Sequence, residues 1–327
     1  MRREKDYRER CAARGLDAAG VDSSVAAVEA LEDWARCRGA EAEEIPLPLV
    51  EGHIADLVAG RAADDSTLLA LARYFAVLRE EPKAIRILAY LLPIGVMPAM
   101  AARLAKMEGE ALRDRVMRHV EIPPAGAPPE AYPSSAAAFV SALESELGAE
   151  KARRVLQWNV HGIPAAAFAQ EREHFLASPS IDEWLDGYHE REVAVLERHA
   201  ASGALWFEQK ITPRVVEFVR SNPEIRGGRR VGKRIFTTKI PYDPERWLGS
   251  SDPIEKRRLA CHCPFAASTI GACAGAGGSA PGPLWCSCSE GYEKFMYDII
   301  FGVETSCEAL ETAIAGNELC RFAITIP

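Results

Sequence analysis

The spacing of apolar residues changes near Gly227-Gly228, and that change limits the folds open to this chain of 327 residues. Before it, apolar residues recur every three to four positions, as on one face of a helix. Val25, Val28, Leu31 and Trp34 follow this rule, as do Leu68, Leu71, Phe75 and Leu78. Beyond it, KRIFTTKIPY is rich in β-branched and aromatic residues, and Cys320, Phe322, Ile324 and Ile326 alternate at the end. Helices first and strands late give an α+β expectation rather than alternating βαβ units. The late strands are expected to form an antiparallel sheet.

Punctuation divides the chain further. EIPPAGAPPEAYPSS holds five prolines and reads as a linker or an extended arm. The expected organisation is a helical domain over 1–120, a proline-rich linker over 121–135, and an α+β domain over 136–327. Within the first block, Ser23 or Ser24 is expected to cap one helix, and Pro82 to break another. Ser180 and Gly203 bound a further helix, and Thr212-Pro213 opens the next. SCSEGYEKFMYDIIFG reads as a helix with Tyr292, Phe295, Met296, Ile299 and Ile300 on one face. VETSCEALETAIAG is open to either strand or helix. Gly316-Asn317 suits a hairpin turn.

Composition excludes some classes. Net charge is −8 and the pI is near 5.5, which argues against general nucleic-acid binding. One local basic run stands out: Arg226, Arg229, Arg230, Lys233 and Arg234. It reads as a solvated loop entering a strand, or else as a site for a carboxylate or phosphate. The N-terminus is charged and lacks an apolar core, so no secretory signal is read and a cytoplasmic location is expected. The apolar stretch 87–105 is interrupted by Pro93 and Pro98, so two buried helices with a kink are expected instead of a membrane span.

Nine cysteines occur, and five fall in one stretch: Cys261, Cys263, Cys273, Cys286 and Cys288. Two C-x-C pairs separated by a Gly- and Ala-rich loop can bring four thiolates together. Zinc favours such ligands. Redox or nucleophilic thiol chemistry is the other reading, and inert packing is the bland one. Ser287 and Glu290 fit a capping box, S-x-x-E, which would put Cys288 in the first turn of a helix. The helix dipole is then expected to lower the pKa of its thiol. His262, between two cysteines, is a candidate ligand, positioning group or general base. Cys11, Cys37 and Cys307 are read as incidental, and His161, His189 and His199 carry little signal.

Cys263-Pro264-Phe265-Ala266, then Cys288, then Thr312-Ala313-Ile314-Ala315-Gly316, then Cys320-Arg321-Phe322 resembles the L-2-amino-thiazoline-4-carboxylic acid hydrolase family. The ending GNELCRFAI is also similar to 4-vinyl reductase domains. The likeness covers about the last 70 residues well, the middle helices weakly and the N-terminal block not at all. The C-x-C doublings and the Gly-rich insert depart from the hydrolase pattern. The first resemblance implies a hydrolase that opens a small sulfur- or nitrogen-containing ring at a C–N bond. The second implies a small-molecule binding or sensor domain with a structural zinc, and marks Glu311 beside the cysteines.

The ligand candidates are therefore Cys261, Cys263, Cys286, Cys288, Glu311 and Cys320, with zinc as the expected metal. Candidate catalytic residues are Cys288, His262 and Lys239, the last for a substrate carboxylate. In one version a metal-bound water attacks the ring; in another Cys288 attacks directly with His262 as base. An iron–sulfur or redox protein is a third reading. No Walker-type loop or GxGxxG precedes a helix. The expected partner is a small molecule, with no nucleic acid or membrane, and a homodimer is a further expectation.

Overall fold

The computed structural model describes residues 1–41, 44–272 and 279–327. Cys273 lies outside the described residues. Two compact units emerge: Met1–Ile94 with Pro123–Ala131, and Gly95–Ile122 with Tyr132–Pro327. This division differs from the boundaries at 120 and 135. The proline-rich segment is shared between the units, and its middle is packed. A Cβ added at Gly126, whose φ is 77°, would meet the Ala63 Cβ at 2.8 Å.

The first unit is helical: α1 (Glu4–Ala13), α2 (Ala18–Arg36), α3 (Leu47–Ala59), α4 (Asp65–Val77) and α5 (Glu81–Leu91). Val28, Leu31, Leu68, Leu71, Phe75 and Ile87 are buried, as helical spacing requires. The cap of α2 is Asp17, not Ser23 or Ser24: its carboxylate accepts from the Gly20 N–H at 2.8 Å. Ser24 lies inside the helix and donates to the Gly20 carbonyl. Pro82 starts a helix instead of ending one. It stands in the first turn of α5, where a missing N–H costs nothing.

The second unit begins with α6 (Val96–Glu108) and α7 (Glu110–Met117). The apolar stretch is thus two helices, α5 and α6, with Gly95 at φ 77° leading into the second. By length and composition alone, Glu81–Glu108 would also suit a membrane span. Then follow α8 (Pro133–Leu156), α9 (Ala169–Ala177), α10 (Ile181–Ser202) and α11 (Pro213–Arg220). Ser180 caps α10 through the Glu183 N–H, and Gly203 ends it in the left-handed region. Thr212 caps α11 with Pro213 at its first turn.

Next come β1 (Arg229–Val231), β2 (Arg234–Thr238), α12 (Pro244–Gly249), α13 (Pro253–Ala260), α14 (Ser287–Phe301), β3 (Ser306–Glu311) and β4 (Arg321–Thr325). The four strands form one antiparallel sheet in the order β1-β2-β4-β3. Among the described residues the fold is therefore α+β, with helices dominant. Of VETSCEALETAIAG, Ser306–Glu311 is a strand. The chain reversal before β4 is not a two-residue turn at Gly316-Asn317. It spans 312–320 and is closed by Asn317, whose N–H donates to the Thr312 carbonyl and whose side chain accepts from the Thr312 N–H.

A core of Trp184, Leu185 and Tyr188 from α10, Ile235 from β2, Tyr297 and Ile300 from α14, and Phe322 and Ile324 from β4 joins sheet and helices. Each such side chain, taken fully out of water, contributes roughly 1.5–3 kcal/mol before entropy is charged against it. The buried face of α14 includes Gly291, Lys294, Tyr297 and Ile300, so only Ile300 of the expected face is fully buried. Gly291 sets how close α14 comes to its neighbour: a Cβ there would lie 2.0 Å from the Trp158 amide nitrogen.

The basic run is largely neutralised. Arg230 pairs with Asp182, Arg234 with Glu308 and Arg226 with Glu192.

Candidate functional site

Lys239 is the first residue past β2. Its N–H donates to the Cys320 carbonyl at 2.9 Å, which continues the β2–β4 ladder by one step and sets Lys239 opposite Cys320. The ammonium group turns toward the start of α14. It lies 3.5 Å from a Glu293 carboxylate oxygen and 3.4 Å from the Ser289 hydroxyl. It also stands 4.8 Å from the Tyr292 ring centre and 5.6 Å from that of Phe322. Burial is the largest influence and opposes its charge, but the Glu293 carboxylate, together with Tyr292 and the Cys320 and Cys288 thiols, outweighs it and holds the pKa above the usual lysine value. Lys239 is therefore a largely buried ammonium whose charged form is favoured.

The cysteines gather around this cation. Cys261 and Cys286 each lie within electrostatic range of Cys263 and Cys320, and Cys288 within range of Cys263. Cys288, Cys263 and Cys320 all feel the Lys239 charge. Local turns place each sulfur. The Cys263 carbonyl accepts from Ala266 and Ala267, folding C-P-F-A into a tight turn. Phe265 anchors that turn against Tyr132 and Trp285. The Trp285 indole donates to the Cys263 sulfur at 3.2 Å, and the Ala313 N–H to the Cys320 sulfur at 3.4 Å. Thr312 reaches the Cys286 thiol. Glu311 ends β3 opposite Arg321, and its charge acts on that guanidinium.

The capping-box expectation fails, and so does its electrostatic corollary. Cys286 occupies the cap position of α14, so Ser287 and Cys288 are already helical. Glu290 does not reach back. It is buried and accepts from the Arg153 guanidinium, from Gln157 at 3.2 Å and from the Ala309 N–H at 2.8 Å. Cys288 is in the first turn as expected, but burial pushes its thiol up to about 12; the nearby Cys263 adds to this and Lys239 only partly counters it. Desolvation outweighs the half-charge of the helix end. Burial raises the other four thiols of this group as well.

His262 packs edge-on against Tyr242, and its Nε2 lies 2.6 Å from the Ile240 carbonyl. A carbonyl only accepts, so Nε2 carries the proton and Nδ1 holds the free lone pair. Burial first, then Lys239, lowers its pKa to about 4. His161 meets Tyr292 edge-on, and its pKa is lowered by burial and then by Lys239.

Sequence reasoning thus named Lys239, His262 and the cysteines, and missed Glu293, Tyr292, Ser289 and Trp285. Glu293 carried one readable signal: a carboxylate five residues after Cys288 on the same helix, one turn past Ser289.

Thiolates and imidazole are the donors a zinc ion takes. Among the described residues, however, no three of the His, Cys, Asp and Glu side chains are grouped so as to hold a metal ion. As placed, the donors match the metal in kind but not in arrangement. The geometry does provide a largely buried cation, with the His262 imidazole and the thiols of Cys263, Cys288 and Cys320 within its electrostatic reach.

Set beside known protein families, curated proteins and solved structures, the chain matches no family model, no curated relative and no solved structure.

Proposed function

We propose that the second unit binds a small carboxylate-bearing molecule at Lys239 and hydrolyses a C–N bond in its sulfur- or nitrogen-containing ring. The observation that carries this reading is the largely buried Lys239 ammonium within electrostatic reach of Cys263, Cys288 and Cys320. Lys239 holds the carboxylate. Cys288, in the first turn of α14, is the nucleophile. It adds to the ring carbon between the heteroatoms as its proton passes to His262 Nδ1. That proton then goes to the departing ring nitrogen as the C–N bond breaks. Water next attacks the thioester-like carbon and releases the thiol. Ring opening at a C–N bond is what the likeness to the thiazoline-carboxylate hydrolases implies; the attack by Cys288 is the version of it proposed for these residues. The likeness to 4-vinyl reductase domains assigns the same Cys288–Cys320 neighbourhood to a binding role.

One observation favours that second reading, binding without turnover. A thiol at about 12 must lose its proton at a cost of about 7 kcal/mol at pH 7, at 1.36 kcal/mol per pH unit. An enzyme has to recover this on substrate binding; a binding module does not.

Incubation with thiazoline and thiohydantoin carboxylic acids, followed by chromatography, separates the two. Hydrolase action gives a ring-opened product that Cys288→Ser abolishes. Tight binding with no product assigns the site to ligand sensing.

A further inference from the structure

We infer that Arg226 is the second arm of a carboxylate clamp whose first arm is Lys239, and that the site selects monocarboxylates. This rests on the reading of Lys239 as the carboxylate anchor.

Ile225 and Thr238 form a parallel bridge, and the Thr238 N–H donates to the Glu224 carbonyl at 2.8 Å. Arg226, in the turn after Ile225, and Lys239, after Thr238, are the residues that follow this isolated bridge, and both charges act on His262. Tyr292 borders both: its ring faces the Lys239 ammonium, and its hydroxyl acts electrostatically on Arg226.

Arg226 is held in an unusual way. Its φ is 59°, in the left-handed region that disfavours residues with a Cβ. Such strain persists where surroundings impose it and is concentrated at functional positions. Here the Trp206 ring lies 4.8 Å from the guanidinium carbon, and Glu192 accepts from Nε at 2.9 Å and from one terminal nitrogen. Both bonds go to a single carboxylate oxygen. The other terminal nitrogen keeps its two N–H groups. Lys239 uses Ser289 and Glu293, which leaves one N–H of three.

A carboxylate has two oxygens, one for each arm. Charge sets the class of ligand. Glu192 and Glu293 already balance the two cations, so a monoanion leaves the quartet at −1 and a dianion at −2. In a poorly solvated site the second charge is strongly disfavoured.

The test is calorimetric titration of the full-length protein with 2-amino-thiazoline-4-carboxylic acid, its methyl ester and the 4,5-dicarboxylate analogue. Wild type is expected to bind the acid at least ten-fold more tightly than either, since a charge-assisted hydrogen bond is worth roughly that factor or more. Arg226→Gln is expected to remove most of this preference and Arg226→Lys to restore part of it. Because Arg226→Gln strands Glu192, the pair Arg226→Gln with Glu192→Gln is measured too, with its melting temperature as a check on folding. Loss of preference in the folded double variant supports the clamp. An unchanged preference, equal binding of acid and ester by wild type, tighter dicarboxylate binding, or no binding at all overturns it. If the preference holds but no ring-opened product forms, the hydrolase reading fails and the clamp stands.

Discussion

The Lys239 ammonium and the Glu293 carboxylate face each other at 3.5 Å with side chains only 15% exposed. The pair joins the end of β2 to α14. Removing one partner leaves a charge with little water to receive it. Glu293→Gln is therefore expected to cost about 2 kcal/mol, below the 3–5 of a fully buried pair because some solvent reaches it. Lys239→Met with Glu293→Gln together should cost less than the sum of the two single changes. Urea unfolding of the four proteins of the cycle measures this coupling.

Backbone proximity gives a sharper structural prediction. A Cβ at Gly291 would lie 2.0 Å from the Trp158 nitrogen and 2.4 Å from its carbonyl oxygen. Neither atom can rotate away. Gly291→Ala should therefore cost at least about 3 kcal/mol, although alanine is the better helix former by about 1 kcal/mol. A melting temperature at or above wild type would show that α14 does not press on Trp158.

Acid should destabilise the second unit through His262. Its folded pKa of about 4 lies below the unfolded value near 6.5, so the unfolded chain binds more protons between those limits. Stability is fully present above pH 6.5 and falls as pH drops toward 4, by at most about 3 kcal/mol. His262→Gln should flatten that slope. Unfolding free energies at pH 7, 5.5 and 4.5 give the comparison.

Parts of this arrangement were legible in the sequence, and parts were not. Ser180 and Gly203 bounded α10 because cap and stop residues act within a single turn. Alternation at Phe322 and Ile324 marked β4 as a strand, and both residues are buried in the core. Ser287 and Glu290 misled, since Glu290 has a better partner in Arg153, 137 residues away in sequence, which no local pattern reveals. The thiol pKa of Cys288 was misjudged for a related reason. Position at a helix start can be read locally, whereas burial is a property of everything packed around it. Glu293 and Arg226 become site residues only once β2, α14 and the Glu224–Arg226 segment meet.

Thiol reactivity tests how the cysteines are held. Cys37 is exposed and unbridged, whereas Cys11, Cys261 and Cys307 are buried and the site thiols are shielded and protonated. Native protein should show fast reaction of Cys37 with an aromatic disulfide reagent and slow reaction of Cys263, Cys288 and Cys320. Stoichiometric zinc by elemental analysis, with fast thiol release on chelation, would instead show these sulfurs regrouped around an ion.

The most direct measurement is intact-protein mass spectrometry after acid quench of a reaction with a thiazoline carboxylic acid. A transient adduct is expected, mapped to the peptide carrying Cys288 and absent from both Cys288→Ser and Lys239→Met. Ring-opened product formed at an undiminished rate by Cys288→Ser, with no adduct on wild type, would contradict it.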